Sequence, residues 1–194
     1  MLVPRLHVIT PVVPVASLRP LVAAGVDAIQ ARDKAADDRE LLEFVGDVLA
    51  LGITVIVNDR VDVALATGAH GVHLGARDLP VASVRLLAPE LLIGATCRSR
   101  EDALAARAAG ASYVGVGPVF ASTTKPDLPA PLGVVGLAEV RGVLPVIAIG
   151  GITAGTVPSL TTAGAHGVAV VAAVSQAPDP PAAARELASA LRVA

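Results

Sequence analysis

The chain alternates short, unbroken apolar runs with longer stretches in which apolar residues recur at helical spacing. "LHVIT" (6–10), "TVIVN" (54–58), "LLIGA" (91–95) and "PVIAIGG" (145–151) are of the first kind; "DDRELLEFVGDVLAL" and "SREDALAARAA" are of the second. Four further segments, "AAGVDAIQAR", "ATGAHGVHLG", "AAGASYVGVG" and "TAGAHGVAVV", repeat one plan: a glycine closes a helix, a short turn follows, and an apolar strand begins. The glycines are Gly25, Gly68, Gly110 and Gly164, and each predicts a left-handed C-terminal helix cap. The runs and repeats together make eight strands separated by amphipathic segments. Continuous Val/Ile runs predict strands buried on both faces, hence a parallel sheet. Eight alternating units predict a compact closed (β/α)8 TIM barrel, one domain over 1–194. An open doubly wound sheet is the alternative, although it would not need the fourfold repetition.

In such a barrel the chemistry collects where strands end. "IQARDK" puts Gln30, Arg32 and Lys34 at alternate positions after strand two, an amide and two cations on one side of an extended chain. "VNDRVD" brings Asn58 and Asp59 after strand three, and "HLGARDLP" brings Asp78 after strand four. Either aspartate could simply cap the next helix. Two carboxylates on neighbouring strands also suit Mg²⁺, which takes one or two carboxylates together with water and phosphate oxygens. Strand five ends "IGATCRS", with Thr96 or Arg98 at the rim and Cys97 reading as a small packed hydrophobe. "GPVFASTTKPDLPAPLG" turns from apolar strand to a polar loop holding Ser122, Thr123, Thr124 and Lys125, a composition suited to pyrophosphate. The loop over 120–133 is expected to be a mobile lid. Gly150 and Gly151 after strand seven could offer backbone N–H groups to a phosphate, or could only make a turn. His73 reads as a barrel-interior residue; His70 and His166 fall in turns at the far end; His7 suits core and cavity equally.

Composition narrows the classes. The chain is 54% hydrophobic with a net charge of −2, and no basic run is present, which argues against nucleic acid. Aromatics are 2%, too few for stacking platforms. One cysteine excludes an internal disulfide and makes a cysteine zinc site improbable. With no apolar run of spanning length and no secretory leader, the expectation is a cytoplasmic protein without a membrane partner. A homo-oligomer is compatible with the sequence.

"IQARDK", "VNDRVDVALATGAHGVHLGARDLP", "YVGVGPVFASTTK", "APLG" and "IAIGGI…AGAHGVAVV", in this order and over almost the whole chain, resemble thiamine phosphate synthase. The resemblance implies a barrel that couples hydroxymethylpyrimidine diphosphate to hydroxyethylthiazole phosphate with Mg²⁺, releasing pyrophosphate. It implies diphosphate contacts from Gln30, Arg32, Lys34 and Asn58, and Mg²⁺ on Asp59 and Asp78. Ser122, Thr124 and Lys125 match the substrate loop, Gly150 and Gly151 the thiazole-phosphate turn. Arg32, Lys34 and Lys125 are the implied catalytic cations. Thr96 keeps the hydroxyl of a usual serine. Departures from the family pattern are His7 for a tyrosine, Ala76 for a glutamine, Arg98 for a histidine and Ala172 for a serine. The sister thiazole tautomerases share the "LH-x-IT" opening, but their catalytic histidine would fall on Pro118, and "ND" and "TK" favour the synthase. A non-catalytic paralogue binding a phosphorylated ligand is a third reading, left open by the departures.

Overall fold

The computed structural model describes residues 2–122 and 129–193. Eight parallel strands, β1 (Leu6–Thr10), β2 (Ala28–Ala31), β3 (Thr54–Asn58), β4 (Gly71–Leu74), β5 (Leu92–Cys97), β6 (Tyr113–Val116), β7 (Val146–Ile149) and β8 (Gly167–Val170), close in sequence order. The doubly wound alternative is thereby excluded. Between them run α1 (Arg19–Ala23), α2 (Asp38–Leu49), α3 (Val61–Thr67), α4 (Val81–Leu87), α5 (Arg100–Ala108), α6 (Gly133–Val140) and α7 (Val157–Thr162); α8 (Ala172–Ser175) and α9 (Pro180–Val193) follow β8.

Local sequence explains the punctuation. Asp37 and Ser99 cap α2 and α5 as capping boxes, each side chain accepting the N–H three residues on while Glu40 and Asp102 reach back. Gly25, Gly68, Gly110 and Gly164 all have positive φ, as the repeated helix ending requires. Strand five is longer than the sequence pattern indicates, because pairing with β6 continues through Thr96 and Cys97.

Burial divides by face. Outward strand residues such as Val8, Ile29, Val55, Val57 and Ile93 pack with the helices into one continuous core. Inside the barrel a smaller cluster of Ile9, Ala28, Ile56, Tyr113, Ile147 and Ala169 fills the floor. The inward row also carries His7, Gln30, Asn58, His73 and Thr96, and parallel register sets Asn58 beside His73 and Thr96 beside Gly115. Polar residues therefore rise from an apolar floor towards the ends of the strands.

Candidate active site

A cavity of about 940 Å³ opens at that end. Gln30, Arg32, Asn58, Thr96, Arg98, Ser122, Gly150 and Gly151 line it, over a base of His7, His73 and Tyr113. Of the residues expected from sequence, this group converges. Lys34, Asp59 and Asp78 stand outside the lining, while Thr124 and Lys125 lie outside the described residues.

The alternation of Gln30, Arg32 and Lys34 breaks for a local reason. β2 ends at Ala31, the Arg32 N–H still donates to the Thr10 carbonyl, and then Asp33 folds the chain over. Its carboxylate accepts the N–H groups of Ala35 (2.8 Å), Ala36 (3.1 Å) and Val12 (3.1 Å). These bonds hold the Asp33 carboxyl below its ordinary range. Gln30, only 3% exposed, and Arg32 thus line the cavity, whereas Lys34 is exposed at its edge, with its charge acting on Asp59.

Asp59 and Asp78 are not helix caps. The cap of α3 is Arg60 and that of α4 is Pro80, neither with a side-chain cap bond. Asp59 instead adopts φ 56°, its N–H donates to the His73 carbonyl at 2.9 Å, and its carboxylate accepts from Asn58 Nδ2 at 2.9 Å. Asp78 accepts the Gly75 N–H at 2.6 Å and closes the β4–α4 turn. Desolvation and then the Asp78 charge raise the Asp59 pKa, while the charges of Lys34 and Arg32 lower it. Two carboxylates that repel each other, with backbone strain holding one of them, make a hard-oxygen donor set that a divalent cation would relieve. The residues fit Mg²⁺.

Arg98 donates to the Gly117 carbonyl (2.9 Å) and the Ala130 carbonyl (2.8 Å), so one guanidinium joins the two stretches that flank residues 123–128. Gly150 and Gly151 have φ of 96° and 64°. A side chain on either would run into Pro118 or Phe120, so their first role is to let the β6 and β7 loops cross closely. Cys97 is buried, and its thiol is pushed up to about 11, chiefly by burial, which fits packing and not nucleophilic chemistry.

Sequence reasoning missed the polar column beneath the cavity. His73 Nδ1 and the Tyr113 hydroxyl share a hydrogen bond at 3.2 Å, and His73 Nε2 and Thr96 Oγ1 another at 3.0 Å. Gly94 and Gly115 make room for the two rings; a Cβ at 94 would overlap the Tyr113 ring and one at 115 would press on the His73 ring. Those glycines in apolar strands were the available signal. His7 is fully buried, with Nε2 bonded to the Pro4 carbonyl at 3.0 Å and Nδ1 without a partner, and its ring meets Tyr113 edge-on at 5.7 Å. Burial drives its pKa down to about 4. His7 therefore belongs to both core and cavity floor.

Comparison with known proteins gives the family. Residues 8–174 match the family model described as thiamine monophosphate synthase. The chain is 45% identical over 172 residues to a thiamine-phosphate synthase of Chloroflexus aurantiacus, covering 86% of this chain and 80% of the relative. To that of Anaeromyxobacter dehalogenans it is 48% identical over 183 residues, with 91% and 82% covered. The solved thiamine phosphate pyrophosphorylase from Pyrococcus furiosus superposes with a TM-score of 0.88 at 37% identity, over 97% of this chain and 96% of that one. A 3-hexulose-6-phosphate synthase, at 21% identity and a TM-score of 0.75, shares the fold alone. Among the described residues no helix is long and apolar enough to cross a membrane.

Proposed function

The chain belongs to the thiamine monophosphate synthase family, an enzyme of thiamine biosynthesis, and on that premise we propose how its cavity makes thiamine phosphate. The substrates are hydroxymethylpyrimidine diphosphate and hydroxyethylthiazole phosphate, and the enzyme is a transferase of the pyrimidinylmethyl group. The observation that carries this reading is the meeting of Gln30, Arg32, Asn58 and Thr96 in one cavity with Gly150 and Gly151. β3 and β7 lie four strands apart in an eight-stranded barrel, so a diphosphate beside the first group faces a second phosphate at the glycine turn.

The bond between the pyrimidine's exocyclic carbon and the diphosphate oxygen breaks, and pyrophosphate leaves with the electron pair. The carbon, stabilised as a cation by the aminopyrimidine, is captured by the thiazole nitrogen. No strong base is needed. Arg32 binds the diphosphate and offsets charge gathering on its oxygens; Lys125 and Thr124 are proposed to add to this from the 122–125 stretch, and Lys34 from the edge. Gln30 and Asn58 orient the pyrimidine diphosphate so that the two reacting atoms meet. Asp59 and Asp78 would hold Mg²⁺, which when bound supplies charge neutralisation for the leaving group.

The protein is proposed to work in the cytoplasm, where both substrates are small phosphorylated metabolites. The test is direct: purified protein with both substrates and Mg²⁺ should yield thiamine phosphate and pyrophosphate in equal amounts. Absence of product, with the diphosphate still bound, would favour the non-catalytic paralogue. Conversion of a thiazole tautomer without the pyrimidine would favour the sister activity, against which Pro118 stands.

A further inference from the structure

The column under the cavity has a direction. Tyr113 is 1% exposed and sits among Ile9, Ile56 and Ile147. Among the described residues its hydroxyl has one hydrogen-bond partner, Nδ1 of His73. Burial raises the phenol's pKa, so it keeps its proton. That proton has to be donated: if the oxygen merely accepted from Nδ1–H, its own hydrogen would be stranded in an apolar cluster. Nδ1 is therefore the acceptor, and the imidazole hydrogen sits on Nε2. Nε2–H then donates to Thr96 Oγ1. With one lone pair of Oγ1 taken, the Thr96 hydroxyl cannot point its hydrogen back at His73. Thr96 is exposed to the cavity, and among the described residues its hydroxyl has no other protein partner.

We infer that Tyr113 and His73 are positioning residues that fix Thr96 as a hydrogen-bond donor aimed at an anionic oxygen of the ligand. Resting on the reaction proposed above, that oxygen belongs to the diphosphate, and the bond tightens as the leaving group gains charge. The chain of bonds differs from a charge relay. No proton moves along it; a buried phenol at one end decides which way a hydroxyl 23 residues away in sequence from the histidine can act. Gly94 and Gly115 serve the same end, because only a bare backbone leaves space for both rings at this level of the barrel.

Two measurements test the inference independently. In ¹⁵N-labelled wild-type protein at neutral pH, long-range proton–nitrogen spectra of His73 should show a hydrogen on Nε2 and none on Nδ1. A ring protonated at Nδ1, or at both nitrogens, overturns the assignment, whether or not the protein turns over. In Tyr113→Phe the two tautomers should mix, and kcat should fall about 10-fold with KM for the diphosphate substrate little changed, the scale of one misdirected hydrogen bond. Thr96→Val should lose on the order of 100-fold, and Thr96→Ser should recover most of it. Adding Tyr113→Phe to Thr96→Val should cost nothing more. Additive losses in the double variant would reduce Tyr113 to a packing role and overturn the inference. Should Tyr113→Phe not fold, the wild-type spectrum decides alone. Should wild-type protein form no thiamine phosphate, the reaction fails while the spectrum still judges the positioning.

Discussion

The carboxylate of Asp33 accepts the N–H of Val12 at 3.1 Å, joining the loop after β1 to the loop after β2. The same carboxylate closes its own turn over Ala35 and Ala36. One side chain thereby sets where Arg32 and Lys34 stand. Asp33→Ala should raise KM for the diphosphate substrate about 10-fold or more, through cations that remain present but are poorly held, with stability falling by about 1 kcal/mol. Asp33→Asn, which keeps one acceptor oxygen and sets an NH2 donor where the other accepted a backbone N–H, should fall between. Steady-state kinetics and thermal melting separate the two effects; an unchanged KM in Asp33→Ala would show that the turn holds without its carboxylate.

Asp59→Ala should abolish Mg²⁺-dependent turnover and leave the barrel folded, because α3 takes no cap bond from this side chain. Its strained backbone, φ 56°, is an additional cost the variant keeps. Asp78→Ala should likewise lose Mg²⁺ response, together with some order in the β4–α4 turn. Titrating Mg²⁺ against activity in each variant checks this. A normal Mg²⁺ dependence in Asp59→Ala would remove it from the metal site.

His7 predicts acid sensitivity. Its pKa is about 4 folded against 6.5 ordinarily, so the unfolded chain binds the extra proton between those values and stability falls as pH drops from 6.5 towards 4. The full loss corresponds to roughly 3 kcal/mol at 1.36 kcal/mol per pKa unit, an order-of-magnitude figure. Asp27 works against the shift and His166 with it. Melting curves at pH 7 and pH 4.5 should differ less for His7→Phe than for the wild type; an equal difference would place the acid sensitivity in other groups.

Arg98→Ala removes the link between the Gly117 and Ala130 carbonyls. Proteolytic cleavage within 117–133 should quicken, and kcat should drop several-fold as the loop's two ends lose their common anchor. Arg98→Lys should rescue little, since one ammonium does not span two carbonyls as a planar fork does. Cleavage at the wild-type rate would mean that the flanking backbone holds itself.

Lys125→Ala is expected to lose about 100-fold or more in kcat, the scale for removing one charge-stabilising donor. Lys125→Arg should recover part. Wild-type kcat in Lys125→Ala would return this stretch to an ordinary surface connection.

What the sequence made legible was whatever has local cause. Gly25, Gly68, Gly110 and Gly164 end helices by backbone conformation, and each marks its strand in advance. Gln30, Asn58 and Thr96 follow from strand alternation alone, because an inward position on a barrel strand is inward whatever its neighbours are, and Arg32 joins them one residue past β2. What was not legible involves partners distant in sequence or breaks in regularity. Lys34 stands past the end of β2 and is exposed, because Asp33 takes three backbone donors in place of extended geometry. For Asp59 and Asp78 the sequence left a helix cap and a metal ligand both open, and only the helix starts, which lie beyond them, remove the cap. His73 and Tyr113 are 40 residues apart, and only the pairing of β4 with β5 and β5 with β6, which sets Gly94 beside both residues, brings their rings together.

Gly94, Gly115, His73 and Tyr113 occupy three neighbouring strands and fit as one block, so neither glycine can take a side chain while both rings stay in place. A methyl group at 94 needs the phenol ring gone first; losing that ring first opens a void that costs several kcal/mol, about 3–5 for a large aromatic. A step that adds a side chain at either glycine or removes either ring descends into a less stable protein, and the way back is the easiest exit. Random drift should therefore leave these four positions untouched or replace them jointly, making the barrel's interior a slow clock while its outer helices keep faster time.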